Sequence, residues 1–413
     1  MGMEVVFSDR AMRGARPLYC RCHPKVYMRI CYYSSANSLQ GGAELSQVRI
    51  VTHMIRNGHE VHVVLPCESE LTRHYTQIGA RVHVLYWQHL RMLADPYHVL
   101  KYLFWLPIIT LRLAMLLRKH RIDVLHVNEV LDFQGLAAGR LAGVSCVTWI
   151  RYVLPDGLMR RTLNAIVLTL ANRVVCNCHS VHRLALNNSR SPKISAIQNG
   201  GPDPSVFDPS KVVPKRPEGA GDALLVGQIA KLVEEKGHHT FLEMAHRLTE
   251  MGYDNVGYVI VGGPVKGHEG YARKLDDMVR QYGLEKRVFF VGQQRDVASW
   301  VAGMDIVCHL PLCHDTFPSS PMEGAIMGKP VLSVRAGGIP ELLTEPDNCR
   351  LVEMGNVDEM VKAIKPMLDS PELRSQLGQA GREEILTQRS IAKHLERVTA
   401  LYESMAEERH SKE

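Results

Sequence analysis

Two doubly wound parallel α/β domains facing each other across a cleft are the architecture this sequence predicts. Its 413 residues are about twice what one core of ordinary size organises. Strand-like and helix-like segments alternate from residue 26 onward, and the alternation starts afresh beyond residue 221. Between the two runs lies PKRPEGAGD, whose Pro, Gly and charge read as a connector. The expected boundaries are a poorly ordered extension over 1–24, a first domain over 25–210, a linker over 211–221, a second domain over 222–388 and a terminal helix over 389–413 returning to the first domain.

In the first domain, KVYMRICYY reads as the opening buried strand, and the change of character at Lys25 marks Met28 as the expected natural start. A Gly-Gly turn follows, then a helix with Leu45, Val48, Val51 and Ile55 on one stripe and Gly58 as its stop. EVHVVLP, ARVHVLY, DVLHVN, SCVTWI, NRVVCNC and KISAIQNG supply further strands. ALLVGQIA opens the second domain, followed by a helix with Phe241, Leu242, Ala245, Leu248 and Met251 as its apolar face. VGYVIVGG, RVFFVG, DIVCHLP and KPVLSV complete its sheet, and a charged amphipathic helix near 390–408 ends the chain. Open parallel sheets bind ligands at the carboxyl ends of their strands, so two in tandem place the chemistry between the domains.

Charge is unevenly placed. Residues 1–205 hold 24 Lys+Arg against 12 Asp+Glu, whereas the remainder holds 25 against 31. The basic half suits an anionic partner such as a phospholipid surface or a phosphorylated acceptor; a solvated basic surface without a partner is the alternative. No nucleic-acid role is expected. The apolar run LKYLFWLPIITLRLAMLL, residues 100–117, is interrupted by Pro107 and Arg112 and reads as too short and too charged to span a bilayer. It is expected either to pack in the core or to lie on a membrane surface, where Trp105, Tyr102 and the flanking cations fit. Ten scattered cysteines and an N-terminus without a continuous apolar leader fit a cytoplasmic protein, with peripheral contact at the inner face of the cell membrane. The CxC pairs Cys20/Cys22 and Cys176/Cys178, each followed by a histidine, lack the matched CxxC knuckles of a metal site, and no metal is expected.

Three segments carry candidate chemistry. HDTFPSSPMEGAIMGKPV, residues 314–331, joins a strand to a helix. Ser320 as N-cap, Pro321 as first helical residue and Glu323 as third would make a capping box. The same helix start would also hold a diphosphate on its unpaired N–H groups, with Glu323 accepting two ribose hydroxyls. Asp315, from the loop, would reach sugar hydroxyls, or would simply close an Asx turn. In AKLVEEKGHH, Lys231 and Lys236 stand five residues apart at a helix mouth. They would neutralise a departing diphosphate, unless they are merely solvated. In QGGAE, Gly41 and Gly42 would let backbone approach a phosphate or sugar closely, and Glu44 would complement the helix dipole.

These pieces in this order, MRICYYSS with GGAE, AKLVEEKG, the acidic pair eight residues apart ending in MEGAIMGKPV, and GGIPELL at 337–343, resemble glycosyltransferase family 4 of the GT-B fold, two Rossmann-like domains. The resemblance runs from residue 28 to about 405. It implies a retaining hexosyltransferase that needs neither metal cofactor nor covalent intermediate, with a nucleotide-sugar donor and a glycan, lipid-linked or small-molecule acceptor. By the same resemblance Lys231 and Lys236 hold the diphosphate, Glu323 the ribose and Asp315 the transferred sugar. Backbone N–H groups of Phe317, Pro318's neighbours Ser319 and Ser320, and Gly42 complete the cradle. UDP is expected before GDP on family frequency alone. Asp315 stands where the family usually has Glu, and Lys231 where it usually has Arg. Arg151 stands where a histidine is common; as a guanidinium it would serve as a cation, not a base. His126 in DVLHVN is a further catalytic candidate, with a core role as its alternative. Rival readings are a nucleotide-sugar epimerase or hydrolase on the same scaffold, and a non-catalytic sugar-binding subunit.

Overall fold

A computed structural model describes residues 27–36, 42–87, 96–151, 153–154, 156–187 and 189–411. The expected extension over 1–24, the Cys20/Cys22 pair and Gly41 lie outside these.

The first sheet has seven parallel strands in the order β3-β2-β1-β4-β5-β6-β7. They are β1 (Arg29–Tyr33), β2 (Glu60–Leu65), β3 (Arg81–Val84), β4 (Val124–Val127), β5 (Ser145–Ile150), β6 (Arg173–Cys176) and β7 (Ile194–Ala196). Their crossovers are α1 (Gly42–Arg56), α2 (Glu70–Gln77), α3 (Pro96–Lys119), α4 (Phe133–Ala142), α5 (Leu158–Leu170) and α6 (His179–Leu186). The second sheet, order β10-β9-β8-β11-β12-β13, is also parallel. It comprises β8 (Leu224–Ile229), β9 (Val256–Val261), β10 (Val288–Gly292), β11 (Ile306–His309), β12 (Val331–Val334) and β13 (Arg350–Val352). Around it run α7 (His238–Glu250), α8 (Glu269–Gln281), α9 (Val297–Gly303), α10 (Ser319–Ile326), α11 (Val357–Asp369) and α12 (Pro371–Gln388), and α13 (Ile391–His410) ends the chain. The two-domain doubly wound fold is therefore the one the sequence predicts; β13, three residues long, is the strand that it does not reveal.

Burial corrects two helix faces. On α1, Val48, Val51, Ile50 and Met54 are buried and Leu45 is exposed; on α7, Met251 is exposed beyond the buried Phe241, Leu242, Ala245 and Leu248. The apolar run at 100–117 is part of a 24-residue helix that takes Pro107 inside it, and, against the sequence expectation, Leu100–Lys119 is by length and composition long and apolar enough to cross a membrane. Tyr102, Ile109, Leu113, Ala114 and Leu117 bury one side of α3, while Leu100, Phe104, Leu111 and Met115 form an exposed stripe at helical spacing.

The terminal helix α13 closes the core of the first domain. Tyr402 is fully buried against β4 and β5, and its hydroxyl lies 2.5 Å from His126 Nδ1. The His126 ring stacks on Trp149 with centroids 4.3 Å apart. Ser145 Oγ donates to the Met405 carbonyl at 3.2 Å, and Arg409 reaches the carbonyl of Ile122. His126 is thus a core residue with no exposure, and its catalytic candidacy is withdrawn. Burial holds its imidazole well below the ordinary pKa, and the nearby Arg151 adds to this. Tyr402→Phe should cost about 1–3 kcal/mol in denaturant unfolding, the cost of leaving His126 Nδ1 buried without its partner, while nucleotide affinity stays unchanged.

Candidate functional site

The carboxyl ends of β8 and β11 carry two loops that are pressed together by backbone. Gly237, at φ +69° between a short 3-10 turn (Glu234–Lys236) and α7, would put a Cβ 1.9 Å from the Leu310 carbonyl oxygen. Only glycine fits there. Leu312 N donates to the Glu235 carbonyl at 2.8 Å, which joins the loops a second time. On the far side, Cβ atoms at Gly337 and Gly338 would meet the carbonyl oxygens of Asp315 and Thr316 at 1.9 Å each, and Gly338 N donates to Asp315 O at 3.0 Å. The paired glycines of GGIPELL therefore serve close packing against the acidic loop.

This packing delivers Lys236 to Asp315. The ammonium and carboxylate are in direct contact, each side chain about four-fifths buried. His309 Nε2, at the end of β11, lies 3.2 Å from the same Asp315 oxygen, off hydrogen-bond geometry, and His309 Nδ1 pairs with Ser320 Oγ at 3.0 Å. One polar chain thus links the loop after β8, the loop after β11 and the start of α10. Burial alone would raise the Asp315 carboxyl; His309 and Lys236 outweigh it and hold the group well below the usual carboxylate range. Lys231, on the same loop as Lys236, is exposed; its carbonyl accepts from Val233 N at 2.9 Å, and its ammonium has no hydrogen bond or ion pair among the described residues.

The start of α10 differs from the expected capping box. Pro318 is the N-cap, Ser319 the first helical residue and Pro321 the third, and no side chain caps the helix. Ser320 turns to His309 instead, so the first amides carry the helix's positive end without a side-chain cap. Phe317 and Pro318 are buried beneath it. Glu323, one turn along, hydrogen-bonds with Ser319 and faces Arg49 of α1 in the other domain. Burial raises its carboxyl to about 6, with Ser319 and Arg49 opposing.

The first domain meets this arrangement around Thr316. Thr316 Oγ1 donates to the Arg151 carbonyl at 2.6 Å and accepts from Asn177 Nδ2 at 3.0 Å, and Cys178 Sγ lies 3.0 Å from the Thr316 carbonyl. Cys178 also N-caps α6 by accepting from Val181 N at 3.3 Å, and Cys176 is buried in β6, so this CxC pair is structural. Glu341 reaches across to the amides of His179 at 2.8 Å and Ser180 at 2.6 Å, neutralising the start of α6. Arg151, 7% exposed at the end of β5, gives Nε to Asn128 at 3.2 Å; its two terminal nitrogens have no partner among the described residues. Burial lowers its pKa to about 10, with Glu129, Tyr402 and Glu44 opposing. A buried guanidinium with two free donors is built to meet an anion. Gly42 begins α1 with open space around it.

Lys236, Asp315 and the α10 start are thus brought together, Glu323 and Arg151 face the interdomain side, and His126 does not. Arg49, His309, Thr316 and Glu341 are not singled out by sequence, although Thr316 sits in the marked segment HDTFPSSPMEGAIMGKPV and Glu341 in GGIPELL.

The family profile described as Glycosyltransferase Family 4 matches residues 40–201, and that described as Glycosyl transferases group 1 matches residues 213–384. Among curated relatives, an uncharacterized glycosyltransferase of Haemophilus influenzae is 22% identical over 348 residues, 83% of this chain and 91% of that one. The lipopolysaccharide core biosynthesis glycosyltransferase LpsE of Rhizobium meliloti is 26% identical over 167 residues, 40% of this chain and 46% of its own length. With LpsE and several other relatives, then, the match spans about half of the relative or less. Among solved structures, Anabaena Alr3699/HepE in complex with UDP superposes with a TM-score of 0.78 at 19% identity, over 91% of this chain and all of the other. With both domains matched in order and two parallel sheets facing each other, the chain belongs to glycosyltransferase family 4 and has the GT-B fold.

Proposed function

We propose that the protein transfers a hexosyl group from a nucleotide diphosphate sugar, UDP before GDP, to an acceptor with retention of anomeric configuration, without a metal. The observation that carries this reading is the Lys236–Asp315 contact beside the uncapped start of α10, because it sets a cation, free amides and a carboxylate at one point. Support for the donor comes from Alr3699/HepE, solved with UDP and with UDP-glucose.

The diphosphate would take the α10 amides and exchange Lys236 away from Asp315, freeing that carboxylate for sugar hydroxyls. Lys231 and Lys236 would then neutralise charge as the bond from the anomeric carbon to the diphosphate oxygen breaks. The acceptor oxygen bonds to the anomeric carbon on the face the diphosphate leaves, and its proton passes to the departing phosphate oxygen. Glu323 would accept the ribose hydroxyls, and Arg151 a phosphate of donor or acceptor.

The reading is tested by incubating the protein with a UDP-sugar and an acceptor extract and following UDP release and product configuration by NMR. Inversion, or release that ignores acceptor, would overturn it. In the same assay Lys236→Ala should lower kcat by about 10²–10³, more than it raises the Kd for free nucleoside. Because Glu323 ionises near 6, its two acceptor oxygens are fully available only above that value. Affinity for a UDP-sugar, whose diphosphate does not titrate there, should fall as pH drops through about 6, and Glu323→Gln should flatten the profile.

We further propose peripheral membrane contact at the cytoplasmic face and a lipid-linked or glycan acceptor. The exposed stripe of α3 is flanked by Lys101, Arg112, Arg118 and Lys119, which matches an anionic bilayer in both apolarity and charge. Phe104→Glu, at a position 65% exposed, should abolish co-sedimentation with vesicles containing phosphatidylglycerol while leaving UDP affinity unchanged.

A further inference from the structure

The layer between α3 and the first sheet is apolar until its last step. Val64 on β2 is fully buried against Ile109, Leu113 and Leu117, and His62, two residues earlier on the same face, has no exposure either. The parallel register sets His83 of β3 opposite Val64, hence on that same face, and its ring stacks on His62 at 5.2 Å with planes 2° apart. His120 follows the last turn of α3, its ring 4.6 Å from His62 and 5.1 Å from His83. Three imidazoles from two strands and a helix end thus replace aliphatic side chains at one corner of the core.

Their nitrogens point together. His62 Nδ1 and His83 Nε2 are 2.9 Å apart, and one nitrogen from each ring lies within 4.8 Å of the others. These separations bracket the roughly 3.4 Å that a tetrahedral ion sets between nitrogens held at about 2.1 Å. On its other side, His62 Nε2 donates to Glu60 Oε1 at 3.1 Å, which leaves the lone pair on Nδ1. Glu60 is in turn held by Arg81 and by the Tyr27 hydroxyl at 3.0 Å. The end of α3 adds the negative pole of the helix dipole, which favours a cation.

We propose that His62, His83 and His120 bind one divalent transition-metal ion of the zinc class, with Glu60 orienting His62 and water in the fourth position. Borderline ions of this kind suit three imidazoles, whereas magnesium and calcium require oxygen ligands. His62 lies in the first half of β2 and His120 precedes β4, so these two ligands stand toward the edge of the sheet opposite the carboxyl ends that carry the transfer chemistry, with His83 late in the short β3 beside them. Its role is a clip fastening the end of α3 to the outer strands, independent of the donor reading.

The full chain, stripped with chelator, is titrated with Zn2+ against a chromophoric chelator, and its melting temperature is followed with and without zinc. One zinc per chain should bind, raise Tm, and give the ligand-field spectrum of a four-coordinate site when cobalt replaces it. His83→Gln and His120→Gln, both at half-buried positions, should each lose that equivalent and the Tm shift while keeping nucleotide affinity. Glu60→Gln should weaken zinc by about 10–100-fold, and Cys20→Ser with Cys22→Ser should change nothing. Absence of a stoichiometric zinc, or its persistence in both histidine variants, would overturn the proposal.

Discussion

The site rests on an ion pair held where two loops cannot separate. Lys236 and Asp315 come from segments 79 residues apart. Backbone brings them together: Gly237 lets the β8 loop sit on the Leu310 carbonyl, and Gly337 and Gly338 press the Asp315–Thr316 backbone from the other side. Side chains at these three positions would push the charges apart. Because both partners are largely buried, their attraction is little screened, and the pair gives way only to something of comparable charge. A diphosphate qualifies, which makes the electrostatics of binding and of the leaving group one and the same.

The same loop is the hinge of contact between domains. Thr316, adjacent to the ion pair, is held by Arg151, Asn177 and Cys178 of the first domain, and Glu341 holds the start of α6. Movement of the domains therefore acts directly on the backbone that carries Asp315. Arg151 joins both levels: its carbonyl receives Thr316, and its guanidinium keeps two unsatisfied donors in a buried place. Such a group is costly unless an anion arrives.

Much of this was legible in the sequence because it is local. Strand and helix periodicity marks every strand among the described residues except β13, which is too short to show alternation. The motif residues Lys236, Asp315 and Glu323 were legible because loop-to-helix junctions concentrate backbone N–H groups and charge. What failed was nonlocal or depended on one residue of phase. The spacing of Ser320 to Glu323 fits a cap, yet the helix starts two residues earlier, with Pro318 as N-cap, and His309 takes the Ser320 hydroxyl. His126 gave no sequence sign of Tyr402, which lies 276 residues away. The His62, His83 and His120 cluster was invisible for the same reason, since their spacing resembles no local ligand pattern and only the register of β2 against β3 brings them together.

The path of the chain end has a consequence for how the molecule comes into being. The strands of the first domain are synthesised early, but the aromatic layer of Tyr32, His126 and Trp149 is covered by α13, with Tyr402 against all three rings. During synthesis that layer stays open to solvent until α13 has emerged behind the second domain, so the half made first is completed after the half made second. The second domain, self-contained between β8 and α12, can fold while its neighbour still waits for its lid.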